Sequence, residues 1–541
     1  MRSTRSAFVL AACFGIAAGC SPKTDGTGSG NEAGSGGPAG SAGAGMASAG
    51  KGAAAGGTSA NGAGGTPGAG APSAAGGAAA RGGTGAASAA GGTGGSTAVA
   101  GAGGTLSTGG SNAAGGAPAA GAGGRATPGG AGGGAGASTG GSAGAGAGST
   151  WVEDQSADCV VGTLPEASAL TKQIPKLPDP FTKVDGTRVA SAADWHCRRA
   201  EIRAQAEKYV FGPKPMPEKV SGTVSEKSIS VHVEAKGKSI DFSDTIVLPT
   251  KGQAPYPLLI NVGKSGSLTL GESRILDQGV AVLYYDNYAL GIEGTAMASR
   301  GKPNAGKYYD IYGGTDQAGL LTAWAWGASR LLDVLQQAGT SLFDLSGIGV
   351  TGCSRFGKGA FVIGVLDDRI ALTIPQEPST GGDPALRIMD KLSGAERTDY
   401  NYNGLNWLSD NFAPFVYSNN TSNVVKLPID THALVGVIAP RGLLVLENPH
   451  QTQMGAPAGY MATVAGAEVY KALGAEKNVN YHSAVADTAH CSYKTEYTDM
   501  LVQSLGAFLK HTGDPPGKIV VDSSGSLNKS DWVDWEAPAF Q

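Results

Sequence analysis

Four nearly continuous apolar runs limit most tightly what this chain can fold into: Pro257 to Val262, Gly279 to Tyr285, Ile370 to Ile374 and Gly442 to Leu446. A strand with one wet face alternates apolar and polar residues, whereas a run like these must be covered on both faces. Between them lie helical patterns such as Gln317 to Gln336, where Ala, Leu and Trp recur at spacings suited to burial. Strands alternating with helices predict a mostly parallel sheet between two helical layers. Two alternating runs, Ser228 to Val233 and Ser239 to Leu248, come first and predict an antiparallel start to that sheet. A strand over Asn478 to Val485, a helix over Asp194 to Tyr209 and a closing helix over Lys494 to Lys510 complete the outline.

The sheet does not involve the whole chain. Residues 21 to 150 are almost entirely Gly, Ala, Ser and Thr, and the large apolar residues concentrate after Trp151. A segment of that composition cannot bury enough surface to offset its chain entropy, so a disordered linker is expected there. As a flexible coil it would reach roughly 60 Å r.m.s.. Residues 151 to 541 then form one α/β domain. Ahead of the linker, Met1-Arg2-Ser3-Thr4-Arg5, an apolar run from Ala7 to Ala18 and Gly19-Cys20 have the layout of a signal peptide over residues 1 to 20. The apolar run is too short for a permanent membrane span.

Within the domain, Gly349-Val350-Thr351-Gly352-Cys353-Ser354-Arg355-Phe356-Gly357-Lys358 follows an apolar run and leads into a helical pattern, Gly359 to Leu366. A tight strand-to-helix turn of this kind lifts a serine hydroxyl clear of the sheet, which makes Ser354 a candidate nucleophile. Gly352 is expected because a side chain there would collide with the neighbouring strand. The generic pattern requires a second glycine at position 356, where this chain has Phe356 and reaches glycine only at Gly357. In an α/β-hydrolase the order is Ser, acid, His. His490 lies beyond the last expected strand, whereas His482 falls inside it. The base must take the serine proton and return it to the leaving alcohol. Glu377 and Glu447, each just past a buried strand, are both candidates to orient it.

The segment Gly352-Cys353-Ser354-Arg355-Phe356-Gly357-Lys358 resembles the G-C-S-R-x-G-K motif of the glucuronoyl esterases, carbohydrate esterase family 15. Further collinear likenesses are Lys176 to Phe181, Trp195 to Arg199, Thr322 to Gly327, Ile374 to Glu377, Leu427 to His432, Ile438 to Gly442 and His490-Cys491. The resemblance implies a serine esterase of the α/β-hydrolase fold, a three-layer sandwich, and the signal-peptide layout implies that it is secreted. It would cleave esters between 4-O-methyl-D-glucuronic acid on glucuronoxylan and alcohols, including lignin alcohols, through an acyl-enzyme on Ser354. It implies Glu377 as the acid after the sixth strand; relatives with the acid after the seventh keep Glu447 as the alternative. It assigns Arg355 to the oxyanion and Lys358 to sugar hydroxyls, and implies no cofactor and no metal. Family members often bridge the cysteines beside the serine and the histidine, which implies Cys353–Cys491, with Cys159–Cys197 as the remaining pair.

Two departures bear on the sugar. Relatives carry a Trp-Leu-Gly after the seventh strand where this chain has Gln453-Met454-Gly455, so a flat apolar face is lost there. The approach to Trp407, through Tyr400-Asn401-Tyr402-Asn403-Gly404, also differs. Other functions are narrowed by charge and cysteines. Beyond residue 150 the chain holds 34 basic and 42 acidic residues with no basic run, which sets nucleic acid aside. Four cysteines past Cys13 and Cys20 suit two disulfides in an oxidising compartment, and none has zinc-finger spacing. Ala17-Ala18-Gly19-Cys20 resembles a lipobox, so a monomer tethered to the outer surface through lipidated Cys20 is expected, its only link to a membrane. The rival readings are a deacetylase or aryl esterase on the same fold, and a polysaccharide-binding lipoprotein without catalysis.

Overall fold

The computed structural model describes residues 151–293, 305–314, 318–339, 341–400, 402 and 406–540. The expected signal peptide, the linker and Cys20 lie outside them. Ten strands form one sheet in the order β1-β2-β3-β5-β4-β6-β7-β8-β9-β10. They are β1 (Lys219–Val224), β2 (Ser228–Ala235), β3 (Lys238–Val247), β4 (Tyr256–Val262), β5 (Ala281–Tyr285), β6 (Phe343–Cys353), β7 (Leu372–Gln376), β8 (Gly442–Leu446), β9 (Val479–His482) and β10 (Ile519–Val520). β1, β2, β3 and β5 pair antiparallel; from β5 through β4 to β10 every pairing is parallel.

The apolar runs behave as their composition requires. Successive residues of one strand enter opposite cores: Leu258 and Ile260 face one, Leu259 the other; Leu443 and Val445 face one, Leu444 and Leu446 the other. The larger core is closed by α1 (Ala192–Ala206), α3 (Leu320–Ala338), α4 (Arg355–Leu366), α5 (Thr431–Ile438) and α6 (Ala456–Ala472). The smaller core is closed by α2 (Glu272–Asp277) and α7 (Thr498–Ser504), through Ile275, Met500 and Leu501. This is the three-layer α/β-hydrolase sandwich.

Two strands were not foreseen. β1 holds only two apolar residues in six and none is buried, because it is the edge of the sheet and owes its conformation to pairing with β2. β10 is two residues added beside β9. The extra edge strand shifts the count by one, so the acids expected after the sixth and seventh strands follow β7 and β8. The closing helix is also interrupted, with α7 giving way to a π-helical turn at Leu505–Leu509.

Several resemblance motifs are structural. Asp368 gathers Arg199, Arg203 and Arg441, so three guanidinium groups surround one buried carboxylate and hold its pKa far below the usual range despite burial. Arg441 also donates to the carbonyls of Gly364, Asp367 and Ile370. Arg387 pairs with Asp430 at 2.8 Å, both fully buried. Cys159 is bridged to Cys197, and Cys353 to Cys491 with Cα atoms 5.7 Å apart. The second bridge closes 138 residues of chain and ties the end of β6 to the loop after β9. By the loop-entropy account its removal costs up to about 5 kcal/mol. Urea unfolding of a Cys353→Ser/Cys491→Ser variant is expected to show a clearly lower midpoint and a somewhat steeper slope, because the released denatured chain exposes more surface; an unchanged midpoint would count against that account.

Candidate active site

The turn from β6 into α4 places Ser354 at φ +58°, ψ −126°, a conformation that a side chain occupies only under strain, on the order of 1–3 kcal/mol. Its amide donates to the Gln376 carbonyl at 2.9 Å, and its own carbonyl accepts from the Lys358 amide at 3.0 Å. The turn is therefore held at both ends. A Cβ on Gly352 would lie 2.5 Å from the Phe356 carbonyl oxygen, so the collision that requires glycine is with the first turn of α4 and not with the neighbouring strand. One on Gly357 would lie 2.7 Å from the Gln376 carbonyl at the end of β7. The glycine that permits close helix–strand approach is thus at 357. Position 356 is free to hold an aromatic ring, which packs at 5.8 Å from Tyr288 and 6.4 Å from Trp324.

His490 reaches the same end of the sheet on the loop after β9. Its Nδ1 donates to Glu377 Oε2 at 2.6 Å, and the Cys491 amide donates to the same oxygen at 3.2 Å. Glu377 is fully buried, while the His490 side chain is 31% exposed. With Nδ1 engaged, Nε2 is the nitrogen left to accept a proton, and it lies 3.5 Å from the disulfide-bonded Sγ of Cys491. Because Cys353 precedes Ser354 and Cys491 follows His490, their disulfide draws the segments carrying Ser354 and His490 together. Gln376 secures the arrangement: it accepts from Thr269 Oγ1 at 2.6 Å and donates to the Ser492 carbonyl at 3.0 Å. Backbone strain collects here too, with Glu377, Ser379 and Cys491 also at positive φ.

Glu447 is as deeply buried as Glu377 but gives the imidazole no hydrogen bond. It is fully buried, and neither carboxyl oxygen has a hydrogen-bond partner among the described residues. Burial pushes its pKa well up, and Asp383 and Glu377 push it further. Asp383 is equally buried and unpartnered, and burial pushes it up to about 7. A Cβ on Gly459 would lie 2.9 Å from Asp383 Oδ2 and 3.1 Å from Glu447 Oε1, so the two carboxyls share the space over that glycine. These surroundings disfavour the carboxylate form of Glu447, and the imidazole's hydrogen-bond partner is Glu377. Chain order could not separate the two, because both simply end a buried strand; the resemblance alone favours Glu377.

Lys358, one turn into α4, is 1% exposed. Its ammonium donates to the Pro378 carbonyl at 2.5 Å, lies 3.4 Å from Glu396 Oε2 and sits 4.4 Å from the Trp407 ring centroid. Burial pushes it down to about 8, with Glu396 opposing. Glu396, which sequence reading missed, is held by Ser379 Oγ at 2.9 Å, and its amide donates to the Gln453 carbonyl at 3.0 Å. Arg355, half exposed, donates to Glu293 at 2.7 Å. Among the described residues, His, Cys and Asp cluster closely at Cys353/His490/Cys491 and at Asp158/Cys159/His196, and the sulfurs of both groups are in disulfides.

Comparison with known proteins agrees with this geometry. A family model described as glucuronyl esterase, fungi, matches residues 231–474. The chain is 39% identical over 371 residues to a 4-O-methyl-glucuronoyl methylesterase of Thermothelomyces thermophilus, covering 67% of this chain and 88% of that one. It belongs to the glucuronoyl esterase family. Among solved structures, the glucuronoyl esterase catalytic domain of Hypocrea jecorina superposes with a TM-score of 0.63 at 33% identity, covering 71% of this chain and all of that one. A serine-to-alanine mutant of a glucuronoyl esterase from Sporotrichum thermophile, in complex with methyl 4-O-methyl-β-D-glucopyranuronate, gives 0.63 at 35%, with the same coverage. Glucuronoyl esterases are carboxylic ester hydrolases, and this chain is one.

The buried acid pair has a consequence for stability. A carboxyl whose pKa is higher folded than unfolded binds its proton more tightly in the native state, so its contribution is largest at low pH and is lost as pH rises. For Asp383 that window runs from about 4, the unfolded value, to about 7. Asp383→Asn is expected to leave Tm near wild type at pH 4 and to raise it progressively toward pH 7. Parallel Tm–pH curves for the two proteins would contradict this.

Proposed function

We propose that the chain hydrolyses esters of 4-O-methyl-D-glucuronic acid, with Ser354 as nucleophile, His490 as general base and acid, and Glu377 as its orienting carboxylate. The observation that carries the reading is the 2.6 Å contact from His490 to buried Glu377, on a loop bridged by a disulfide to the residue beside Ser354. In the acylation step Ser354 Oγ attacks the ester carbonyl while His490 Nε2 takes its proton, then returns it to the departing alcohol. Water repeats the sequence on the acyl-enzyme and releases the uronate. The imidazolium formed in each half is stabilised by Glu377. Negative charge on the former carbonyl oxygen meets Arg355 and the first-turn amides of α4, which have no acceptor within the helix. Methyl 4-O-methyl-glucopyranuronate in the related mutant's structure supports a uronate on the acyl side.

The sugar recognition that goes with this falls to Lys358, Glu396 and Trp407. A uronate ester reacts at the carbon attached to C5, so the ring stays bound through both half-reactions while the alcohol leaves. Binding energy spent on the ring orients the carbonyl. Xylan and the lignin alcohols as natural substrate, export, the disordered linker and a lipid anchor on Cys20 belong to the same proposal. Two disulfides among the described residues fit an oxidising compartment.

The deciding measurement is kcat/KM for benzyl glucuronate, methyl glucuronate, benzyl galacturonate and p-nitrophenyl acetate, in wild type and Lys358→Met. Changing the alcohol is expected to matter less than changing the acid. Lys358→Met should lower glucuronate turnover at least tenfold, about the value of a lost hydrogen bond to a charged group, and leave acetate nearly unchanged. Acetate hydrolysed as well as glucuronate, with equal losses in the variant, would favour a general esterase.

A further inference from the structure

Arg355 is the first residue of α4, and its side chain is 47% exposed. A guanidinium on a long stem has rotamer freedom to lose before it can serve a charge at one fixed point. The surroundings indicate what removes that freedom. Glu293 Oε2 accepts from Arg355 Nη1 at 2.7 Å and from the Tyr288 hydroxyl at 2.7 Å. The Glu293 side chain is only 9% exposed, so the pair is shielded from competing water on the glutamate side. Tyr288 is in turn set edge-on to Phe356 and to Trp324, each at 5.8 Å. Phe356 is the aromatic residue that stands two places after Ser354. Contacts therefore run from the elbow through Phe356 to Tyr288, on to Glu293, and back to the elbow at Arg355.

We propose that Glu293, braced by Tyr288, is a positioning residue that fixes the Arg355 guanidinium beside Ser354 before charge develops on the acyl oxygen. The proposal rests on the reading of Arg355 given above and assigns it a support. Donors aimed in advance cost no reorganisation at the moment of reaction, which makes a held guanidinium worth more than a mobile one. Glu293 carries a negative charge that offsets part of the guanidinium's, so what it contributes is direction. Tyr288 stays a donor throughout, since burial and then the Glu293 carboxylate push its phenol up to about 12.

The test is a double-mutant cycle on benzyl glucuronate and p-nitrophenyl acetate, with Tm recorded for each variant. Glu293→Ala is expected to lower kcat roughly tenfold with little change in KM, the signature of an interaction made in the transition state. Tyr288→Phe, which keeps the ring contacts, should lower kcat about threefold, as loss of one neutral hydrogen bond allows. Glu293→Gln still offers Arg355 an acceptor and should retain most of the activity. In an Arg355→Ala background, Glu293→Ala should cost nothing further. Equal losses from Glu293→Ala with and without Arg355 would overturn the proposal, as would a Glu293→Gln variant as damaged as Glu293→Ala. An enzyme idle on glucuronate but active on acetate would contradict the substrate reading alone, because the cycle on acetate still decides the role of Glu293.

Discussion

The structure depends on one buried carboxylate oxygen. Glu377 Oε2 accepts from the His490 ring and the Cys491 amide together, so the loop after β9 is drawn onto the end of β7 by side chain and backbone at once. The disulfide from Cys491 to Cys353 adds a covalent tie from that loop to the end of β6. Three segments far apart in sequence are thereby held at a single point. The positive φ angles of Ser354, Glu377 and Cys491 are the local cost of this convergence. Strain of this kind persists only where surrounding structure over-determines it. Here the strand ladder, the Gln376 hydrogen bonds and the bridge do so.

Buried charge is handled in two ways in this molecule. Away from the site it is paired: three arginines surround Asp368, and Arg387 meets Asp430. Such pairs hold loops in register while adding little net stability. Beside the site, Asp383 and Glu447 are buried without a cation paired to them among the described residues, and burial raises the pKa of both instead. The upward shift of Glu447 lessens like charge one strand away from Glu377, the carboxyl that holds the imidazole. Lys358, also beside the site, is handled in the first way, as a cation whose burial is offset by Glu396, the Pro378 carbonyl and the Trp407 ring.

The sheet was legible in the sequence wherever both faces of a strand are buried, because the period of burial is then written in composition. β4, β5, β7 and β8 come within one or two residues of the runs that predict them. β1 was not legible, since an edge strand such as Lys-Val-Ser-Gly-Thr-Val owes its conformation to its partner. At the site, Ser354 and His490 stand out through motif and chain order, whereas the choice between Glu377 and Glu447 needs a hydrogen bond that no local pattern encodes. The supporting residues were invisible for the same reason. Glu293 lies 62 residues from Arg355 and Glu396 lies 38 from Lys358, so only the folded chain relates them. The reason offered for Gly352 was misplaced as well, because the helix turn crowds the glycine more closely than the strand does.

The central claim is that a single serine at the β6–α4 turn carries the acyl group. Intact-mass spectrometry and peptide mapping after treatment with an alkyl fluorophosphonate, which labels an activated serine, address it directly. The account predicts one adduct per chain, on Ser354, with ester hydrolysis lost in proportion to labelling and no adduct in Ser354→Ala or after substitution of His490. Labelling elsewhere, or a Ser354→Ala protein that still turns over a glucuronate ester at the wild-type rate, would contradict it.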